Sequence, residues 1–436
     1  MKKIPILFVA ASLFPFASAV RGQAAVPEAR LDALYREMEP VYIDLHEHPE
    51  LSLHETRTAA LLAGHLRKLG LDVTEHVGGN GVVGVLRNGP GKTVMLRTEL
   101  DALPIEEKTG LPYASRARTK NDEGVDVPVM HACGHDVHMT TWLGTVTYLS
   151  REKGAWSGTL VVIAQPAEER GMGARAMLED GLFTRFPKPD AVIALHDIPS
   201  LPSGSVGYTS GPALSSADSV DLTIFGRGAH GAHPEASVDP IVIAARTILT
   251  LQTLVSRENN PLDPAIVTVG SIHGGTKHNI IPDEVRLQLT VRAFREEVRQ
   301  RLLAGIARIA KAEAEAAGAP KPPEMKIVDV SSAVTVNDPA LTERVAASLR
   351  RELGDGKVSA VAPETASEDF SEFGRAGVPS VIYRLGATEP AVWEAANRSG
   401  TPLPSLHSPF FAPDRRATIT TGIRSEVAVL LDLLRK

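Results

Sequence analysis

The chain of 436 residues has little cysteine, few aromatic side chains and only one long apolar run. Its single cysteine, Cys133, excludes an intramolecular disulfide. A lone cysteine is a buried apolar side chain, a reactive thiol or a metal ligand, and its neighbours must decide between these roles. After the first 20 residues, no apolar run approaches the length that a transmembrane helix needs.

Strong charge of one sign is also lacking, since 46 Lys and Arg residues face 52 Asp and Glu residues. Nucleic-acid and anionic-membrane partners call for clustered basic residues, so the mild charge of -6 argues against both. The hydrophobic content of 43% is ordinary for a globular enzyme. The length exceeds what one core usually supports, which predicts two domains.

The one long apolar run lies at the start of the chain. Lys2 and Lys3 precede an apolar stretch from Ile4 to Phe16, and Ala17-Ser18-Ala19 follows as a small-x-small cleavage site. This layout predicts a secretory signal peptide over residues 1–19. A membrane anchor is the alternative, but the stretch is too short to span a bilayer. We therefore expect an exported protein, periplasmic or secreted.

Residues 29–212 alternate between strand and helix patterns. Short continuous apolar runs, typical of strands buried on both faces, occur at Leu160–Ala164 and Ala191–Leu195. The segment Asp136–Leu149 has apolar residues at helical spacing. Such alternation predicts an α/β catalytic domain around a largely parallel or mixed sheet.

The pattern changes at about residue 213. Val220, Leu222 and Ile224 alternate with polar residues, which indicates strands with one wet face. Ile241–Val255 and Val298–Ile309 are amphipathic, as expected for helices. We predict a small α+β domain over residues 213–322, inserted into the catalytic domain, which resumes over residues 323–436.

The strongest local motif is His-Ala-Cys-Gly-His-Asp at residues 131–136. Cys133 and His135 lie two residues apart on a bend, so both side chains can reach one ion. Asp136 can hold an imidazole in the tautomer that binds metal. A helix-capping turn is the alternative interpretation of the motif.

Further polar side chains follow buried strands. Glu168 and Glu169 come after one apolar run, and His196 ends the next. Strand ends are where open α/β sheets place active sites, and two glutamates there can divide metal binding from proton transfer. Taken alone, His196 could be structural, and His407, in a loop before the last helix, carries little information.

These motifs together resemble the two-metal amidohydrolases that include hippurate hydrolases, auxin-conjugate hydrolases and N-acyl-diaminopimelate deacetylases, within the aminoacylase and carboxypeptidase superfamily. The similarity runs from about Tyr42 to the C-terminus. The matching blocks, in chain order, are Asp44–His46, His48–Ser52, Arg97–Ile105, His131–Asp136, Gln165–Glu169, Asn279–Asp283 and Ser367–Phe370.

The resemblance implies a zinc-exopeptidase-like catalytic domain with a ferredoxin-like lid and dimerisation domain. It implies five metal ligands: Cys133, His135, Glu169, His196 and His407. Thiolate, imidazole and carboxylate ligands suit two divalent ions such as Mn²⁺ or Zn²⁺, with Co²⁺ or Ni²⁺ possible, better than Mg²⁺ or Ca²⁺. Glu168 would serve as general base and acid, and Asp101 would orient a ligand.

Within the lid, His230 resembles the residue that stabilises the oxyanion in a neighbouring subunit's site. Asn279 and Arg292 resemble positions that bind the substrate carboxylate, although Arg292 on an alternating strand could equally be a surface residue. The expected assembly is a homodimer or a dimer-based oligomer.

Two positions depart from the family pattern. Glu99 stands where relatives have Asp, and Glu235 follows Pro234 where relatives have His. The expected activity is metal-dependent hydrolysis of the amide bond in N-acyl amino acids or related small amides with a free carboxylate. A metallo-dipeptidase or carboxypeptidase is the alternative, and a non-catalytic metal- or peptide-binding protein would not require the base Glu168.

Overall fold

The computed structural model describes residues 26–328 and 332–435, so the expected signal peptide lies outside the described residues and stays a prediction. The strands are β1 (Asp72–Thr74), β2 (Val82–Asn88), β3 (Thr93–Glu99), β4 (Arg118–Lys120), β5 (Asp126–Pro128), β6 (Gly158–Gln165), β7 (Ala191–Pro202), β8 (Val206–Tyr208), β9 (Gly211–Leu214), β10 (Asp218–Phe225), β11 (Ala229–His230), β12 (Ala265–Gly274), β13 (Ile280–Ile281), β14 (Glu284–Ala293), β15 (Glu324–Ile327), β16 (Thr335–Asn337), β17 (Val358–Ala360) and β18 (Ser380–Thr388).

The helices lie before, between and after these strands. They are α1 (Glu28–Glu47), α2 (Thr56–Lys68), α3 (His135–Arg151), α4 (Gly173–Glu179), α5 (Leu182–Arg185), α6 (Pro240–Thr253), α7 (Glu296–Ala316), α8 (Pro339–Leu353), α9 (Ser371–Arg375), α10 (Pro390–Ser399) and α11 (Arg415–Leu433). Among the described helices, none has the length and apolar character that crossing a membrane requires.

The larger sheet is mixed and has eight strands in the order β1-β2-β6-β3-β7-β18-β8-β17. Its central strands β6, β3, β7 and β18 run parallel to one another. Their carboxyl ends therefore lie at one edge, where Glu99 of β3 is opposite Gln165 of β6. This edge is where an α/β sheet presents functional side chains.

Helices cover both faces of this sheet. On one face α3 lies between the sheet and helices α1 and α11, so residues 135–149 are buried on every side of the helix. The sequence predicted a helix with one apolar face, and burial all round explains why Trp142 and Leu143 are both fully enclosed. A second apolar cluster, containing Met177, Phe370 and Phe373, fills the opposite face.

The smaller sheet is antiparallel, with the strand order β12-β14-β10-β15. Its inward side chains, among them Leu222 and Leu287, pack with α6 and α7 in a core separate from that of the larger sheet. The order β10-α6-β12-β14-α7-β15 is ferredoxin-like. The predicted fold class is thus confirmed: a mixed-sheet α/β unit with an α+β unit inserted in the chain.

One boundary of the inserted unit was predicted too early. Residues after 322 were assigned to the larger unit, but β15 pairs with β10, with Met325 opposite Leu222. The smaller sheet therefore continues to Ile327. An edge strand of four residues, three of them exposed, gives a weak periodic pattern, so its partner could not be identified from the sequence.

Candidate metal centre

Four of the five predicted ligands come from segments that end at the carboxyl edge of the parallel strands. Cys133 and His135 lie where the chain enters α3, Glu169 follows β6, and His196 lies within β7. Gly134, with φ of 76°, turns the chain between the first two, and a Cβ atom there would lie 2.3 Å from a carboxylate oxygen of Asp197. Glycine is therefore required for this close approach.

The fifth, His407, comes from a distant loop. Its backbone N–H donates to the Ala132 carbonyl at 2.8 Å, and its φ of 63° is unusual for a residue with a side chain. This conformation places His407 Nε2 at 3.2 Å from Cys133 Sγ and 3.4 Å from Glu169 Oε2. The loop is thus strained in order to bring the imidazole to the thiol.

The ligand atoms form two overlapping groups. Cys133, His135 and His196 make one, and Cys133, Glu169 and His407 make the other, with the ligand atoms of each group within 4.8 Å of one another. Cys133 belongs to both, since its Sγ is also 3.5 Å from His196 Nε2. The geometry therefore offers two adjacent ion positions that share one sulfur atom.

Backbone carbonyls orient two of the imidazoles. His135 Nδ1 lies 2.7 Å from the Asp101 carbonyl oxygen, and His196 Nδ1 lies 2.8 Å from that of Asp197. Donation from Nδ1 leaves each Nε2 with a free lone pair, the form that binds metal. Burial, and then the charge of His138, hold the pKa of His196 well below its usual range, which keeps this ring neutral.

Unsatisfied atoms and unbalanced charge show that the site fits cations. His135 Nε2 and Glu169 Oε1 are buried with no hydrogen-bond partner among the described residues. Burial, and then the charges of Glu169 and Glu168, raise the pKa of the Cys133 thiol well above its usual range. A divalent ion would supply both the missing partners and the positive charge that a thiolate needs.

Glu168 is placed for proton transfer next to these groups. Its Oε2 is 3.8 Å from His135 Nε2, and the side chain is buried. Burial, followed by the negative charges of Glu368 and Glu169, raises the pKa of its carboxyl well above the usual range. A carboxyl group with a raised pKa can accept a proton and later give it up near neutral pH.

Asp101 contributes through the backbone of the glutamate turn. Its Oδ1 and Oδ2 accept the backbone N–H groups of Glu168 at 3.1 Å and Glu169 at 3.0 Å, and Oδ2 also accepts the Ser52 hydroxyl at 2.6 Å. Its carbonyl orients His135, as noted above. Asp101 therefore positions a ligand and both glutamates, and it does not itself face the ion positions as a ligand.

Asp136 does not hold a metal-site imidazole, so that expectation was wrong. Its Oδ2 lies 2.6 Å from Nδ1 of His46, a residue of α1, whose Nε2 in turn lies 3.2 Å from Glu107. Neighbouring helical residues point about 100° apart, so Asp136 faces away from the side on which His135 lies. Burial opposes charging of His46, but these two carboxylates raise its pKa to about 10.

A buried ion network beneath the ligands was missed. Arg97 is fully buried and pairs with Glu99, with Glu368 at 2.8 Å and with Asp369 at 3.2 Å. Glu99 Oε2 also lies 3.0 Å from His138 Nδ1. An arginine directly after the apolar residues 94–96 of a strand was the available signal, because a buried charge requires a partner.

This network reaches a ligand through His138. His138 Nε2 lies 3.1 Å from the side-chain Oδ1 of Asp197, and the Asp197 carbonyl oxygen lies 2.8 Å from His196 Nδ1. The longer side chain of Glu99, one of the departures from the family pattern, thus contacts Arg97 and His138 together. Through His138, Glu99 therefore supports Asp197, whose carbonyl orients His196.

Among the described residues, none of the three lid residues hydrogen-bonds or ion-pairs with a candidate metal ligand, and Arg292 lies apart from the other two. His230 and Asn279 flank the paired strands β11 and β13, with the Gly231 N–H donating to the Asn279 carbonyl at 2.8 Å. Arg292 lies near the opposite end of β14, where Nη1 donates to the Thr365 carbonyl at 2.8 Å. The other departure, Glu235, is exposed and pairs with His233 at 3.2 Å.

The geometry defines a class of protein: a metallohydrolase whose α/β catalytic unit has two neighbouring metal positions and a buried carboxyl base. Comparison with known proteins gives the family. Residues 95–398 match the model of peptidase family M20/M25/M40, and the chain belongs to this family. The predicted family and an amide-hydrolysing enzyme are thereby confirmed.

Individual relatives agree with this assignment. The chain is 37% identical over 353 residues to N-acetyl-L-cysteine deacetylase of Bacillus subtilis, covering 79% of each chain. It is 38% identical over 344 residues to hippurate hydrolase of Campylobacter jejuni, covering 78% of this chain and 85% of the relative. A dinuclear metal-binding M20 peptidase of Bacillus subtilis superposes with a TM-score of 0.74 at 27% identity, covering 92% of this chain and 99% of the other.

The two glutamates should respond differently to substitution. Glu168→Gln is nearly isosteric but cannot take a proton, so it should retain metal and lose turnover by a factor of about 100 to 10,000. Glu169→Gln should lose metal first and recover some activity in excess metal. Elemental analysis and steady-state kinetics on both variants check this. Metal loss in Glu168→Gln with retention in Glu169→Gln would mean that the roles are exchanged.

Glu99→Gln should weaken metal binding although Glu99 faces Arg97 and His138. Loss of a partner that supports a ligand typically costs about tenfold to a hundredfold in metal affinity. Competition with a chelator measures the affinity independently of turnover. Glu426→Gln is the matched control, since this buried glutamate has a pKa raised to about 8 by burial and carries little charge at neutral pH. If Glu99→Gln and Glu426→Gln bind metal with equal affinity, Glu99 has only a structural role.

Proposed function

We propose that the protein hydrolyses the amide bond of N-acyl amino acids that carry a free carboxylate, using two divalent ions, Mn²⁺ or Zn²⁺. The observation that carries the proposal is the pair of ion positions sharing Cys133, with the Glu168 carboxyl beside them. Relatives named for N-acetyl-L-cysteine and hippurate support this substrate class. The dinuclear M20 neighbour supports two ions.

Each group has a distinct part in the reaction. Cys133, His135, Glu169, His196 and His407 would hold the two divalent ions, which would supply Lewis-acid activation of water and of the scissile carbonyl. Glu168 takes a proton from the attacking water and delivers it to the leaving amine, a task suited to a buried carboxyl with a raised pKa. Asp101 fixes the turn that carries Glu168, so the base keeps its position through both transfers.

A metallo-dipeptidase or carboxypeptidase is the second candidate, because the family includes peptidases and the same water chemistry cleaves peptides. A panel of N-acyl amino acids and dipeptides distinguishes the two, using protein loaded with Mn²⁺, Zn²⁺ or Co²⁺. We expect kcat/KM to be higher for N-acyl amino acids by about tenfold, the lower end of what one pocket contact supplies. A preference of that size for dipeptides would favour the peptidase.

We propose further that the protein is a homodimer in which the lid completes the partner's site. Asn279 precedes β14 and Arg292 lies near the end of that strand, whose residues 284–292 span about 27 Å. The Arg292 end is fixed to its own catalytic unit through Thr365. The His230 and Asn279 end is therefore directed away, which supports a role in a second subunit.

The surface of the lid along strand β12 has the character of a protein–protein interface. Strand β12 lies at the edge of the smaller sheet, and edge strands offer unpaired backbone groups to another chain. Exposed apolar side chains surround it: Ile241, Val242, Leu249, Ile272 and Ile280. Exposed apolar side chains of the lid, together with an open strand edge, support pairing with a second copy.

Complementation tests the dimer. His230→Ala should lower turnover and leave metal content unchanged, because His230 contacts none of the proposed ligands within the described chain. Mixing it with inactive Glu168→Ala should restore activity in hybrid dimers that contain one intact site. If subunits exchange, as shown by tagged protein, and no activity returns, His230 does not act across subunits.

A further inference from the structure

A small hairpin stands beside the metal centre. Strands β4 and β5 pair antiparallel and are joined by the turn Asn121–Val125. The turn is closed by the Asn121 N–H, which donates to the Val125 carbonyl at 2.9 Å, and by the Val125 N–H, which donates to Asn121 Oδ1, also at 2.9 Å. Its tip is therefore a defined structure, and it lies over a cavity.

The cavity has a volume of about 260 Å³. It is lined both by Glu169, a proposed metal ligand, and by the turn residues Asn121, Asp122 and Glu123. A group held here would lie next to the scissile bond. Because the lid residues are proposed to bind the substrate carboxylate, this cavity is left for the acyl group.

Its floor is apolar. Four residues form it: Leu51, Ala102, Leu103 and Pro104. Leu51 and Ala102 are buried and belong to an apolar cluster with Val129, so the floor cannot move freely. A rigid apolar floor within this volume suits a compact acyl chain.

Its rim is charged and carries more negative than positive charge. Asp122 pairs with Arg170, the residue after Glu169, and lies 3.2 Å from Nε2 of His54. Glu123 lines the rim as well and makes no ion pair with any described residue. The Arg170 guanidinium is therefore already neutralised by Asp122. An acyl group in the cavity would meet mainly carboxylates.

We infer that Asp122 is a specificity-determining residue that makes the acyl cavity select uncharged acyl groups over those ending in a carboxylate. An anionic end would meet Asp122 and Glu123, and repulsion between like charges at a partly enclosed site disfavours binding. Because Arg170 is paired with Asp122, its guanidinium is also not free to bind an acyl group that ends in a carboxylate. The inference rests on the proposed hydrolysis of N-acyl amino acids.

Two substrates of equal acyl length test it: the N-butyryl and N-succinyl derivatives of one amino acid. Asp122→Asn removes a rim charge and releases Arg170, so the ratio of kcat/KM for succinyl over butyryl should rise about tenfold. Adding Arg170→Gln to that variant should cancel most of the rise. Asp126→Asn is the matched control, since Asp126 pairs with Arg118 in the same hairpin but does not line the cavity.

The outcomes separate the inference from the proposed function. A raised ratio in Asp122→Asn with an unchanged ratio in Asp126→Asn supports the assignment. Equal ratios in wild type and Asp122→Asn, with N-butyryl turnover present, overturn the role of Asp122 and leave the proposed function intact. Absence of turnover on every N-acyl amino acid by metal-loaded wild type overturns both.

Discussion

Burial of more carboxylate charge than the chain's own cations balance is the constraint on which the site depends. Arg97 offsets part of it by pairing with Glu99, Glu368 and Asp369. Cys133 and Glu168 keep pKa values well above their usual ranges, and Glu169 keeps an unsatisfied buried oxygen. Divalent ions complete the balance, so metal binding and the integrity of this edge of the sheet are linked.

The parallel strands make that concentration of charge possible. Side chains after β3, β6 and within β7 arrive at one edge because these strands share a direction and a register. Three of the five candidate ligands are then placed by a feature of the adjoining backbone: a glycine before His135, the carbonyl of the residue after His196, and a strained backbone at His407. The catalytic chemistry is thus distributed over distant parts of the sequence, while the positioning is done locally.

In the proposed function, the lid residues that would bind the substrate lie at a distance from the ion positions. Arg292 lies at the end of β14 that is anchored to the catalytic unit. Asn279 lies beyond the opposite end of the same strand. Within the catalytic unit, the hairpin around Asp122 adds a second charged element, close to Glu169. Substrate selection would then combine a rim belonging to one subunit with polar groups supplied by the lid of another.

The sequence by itself determined the fold class, the family and the candidate ligands, because apolar periodicity and short motifs such as residues 131–136 are local properties of the chain. It could not assign Asp136 to His46, extend the smaller sheet to β15, or connect Arg97 with Glu368. Those facts are contacts between residues far apart in sequence. Only the tertiary structure decides them, since a side chain's partner depends on which elements pack together and on the direction in which each residue points.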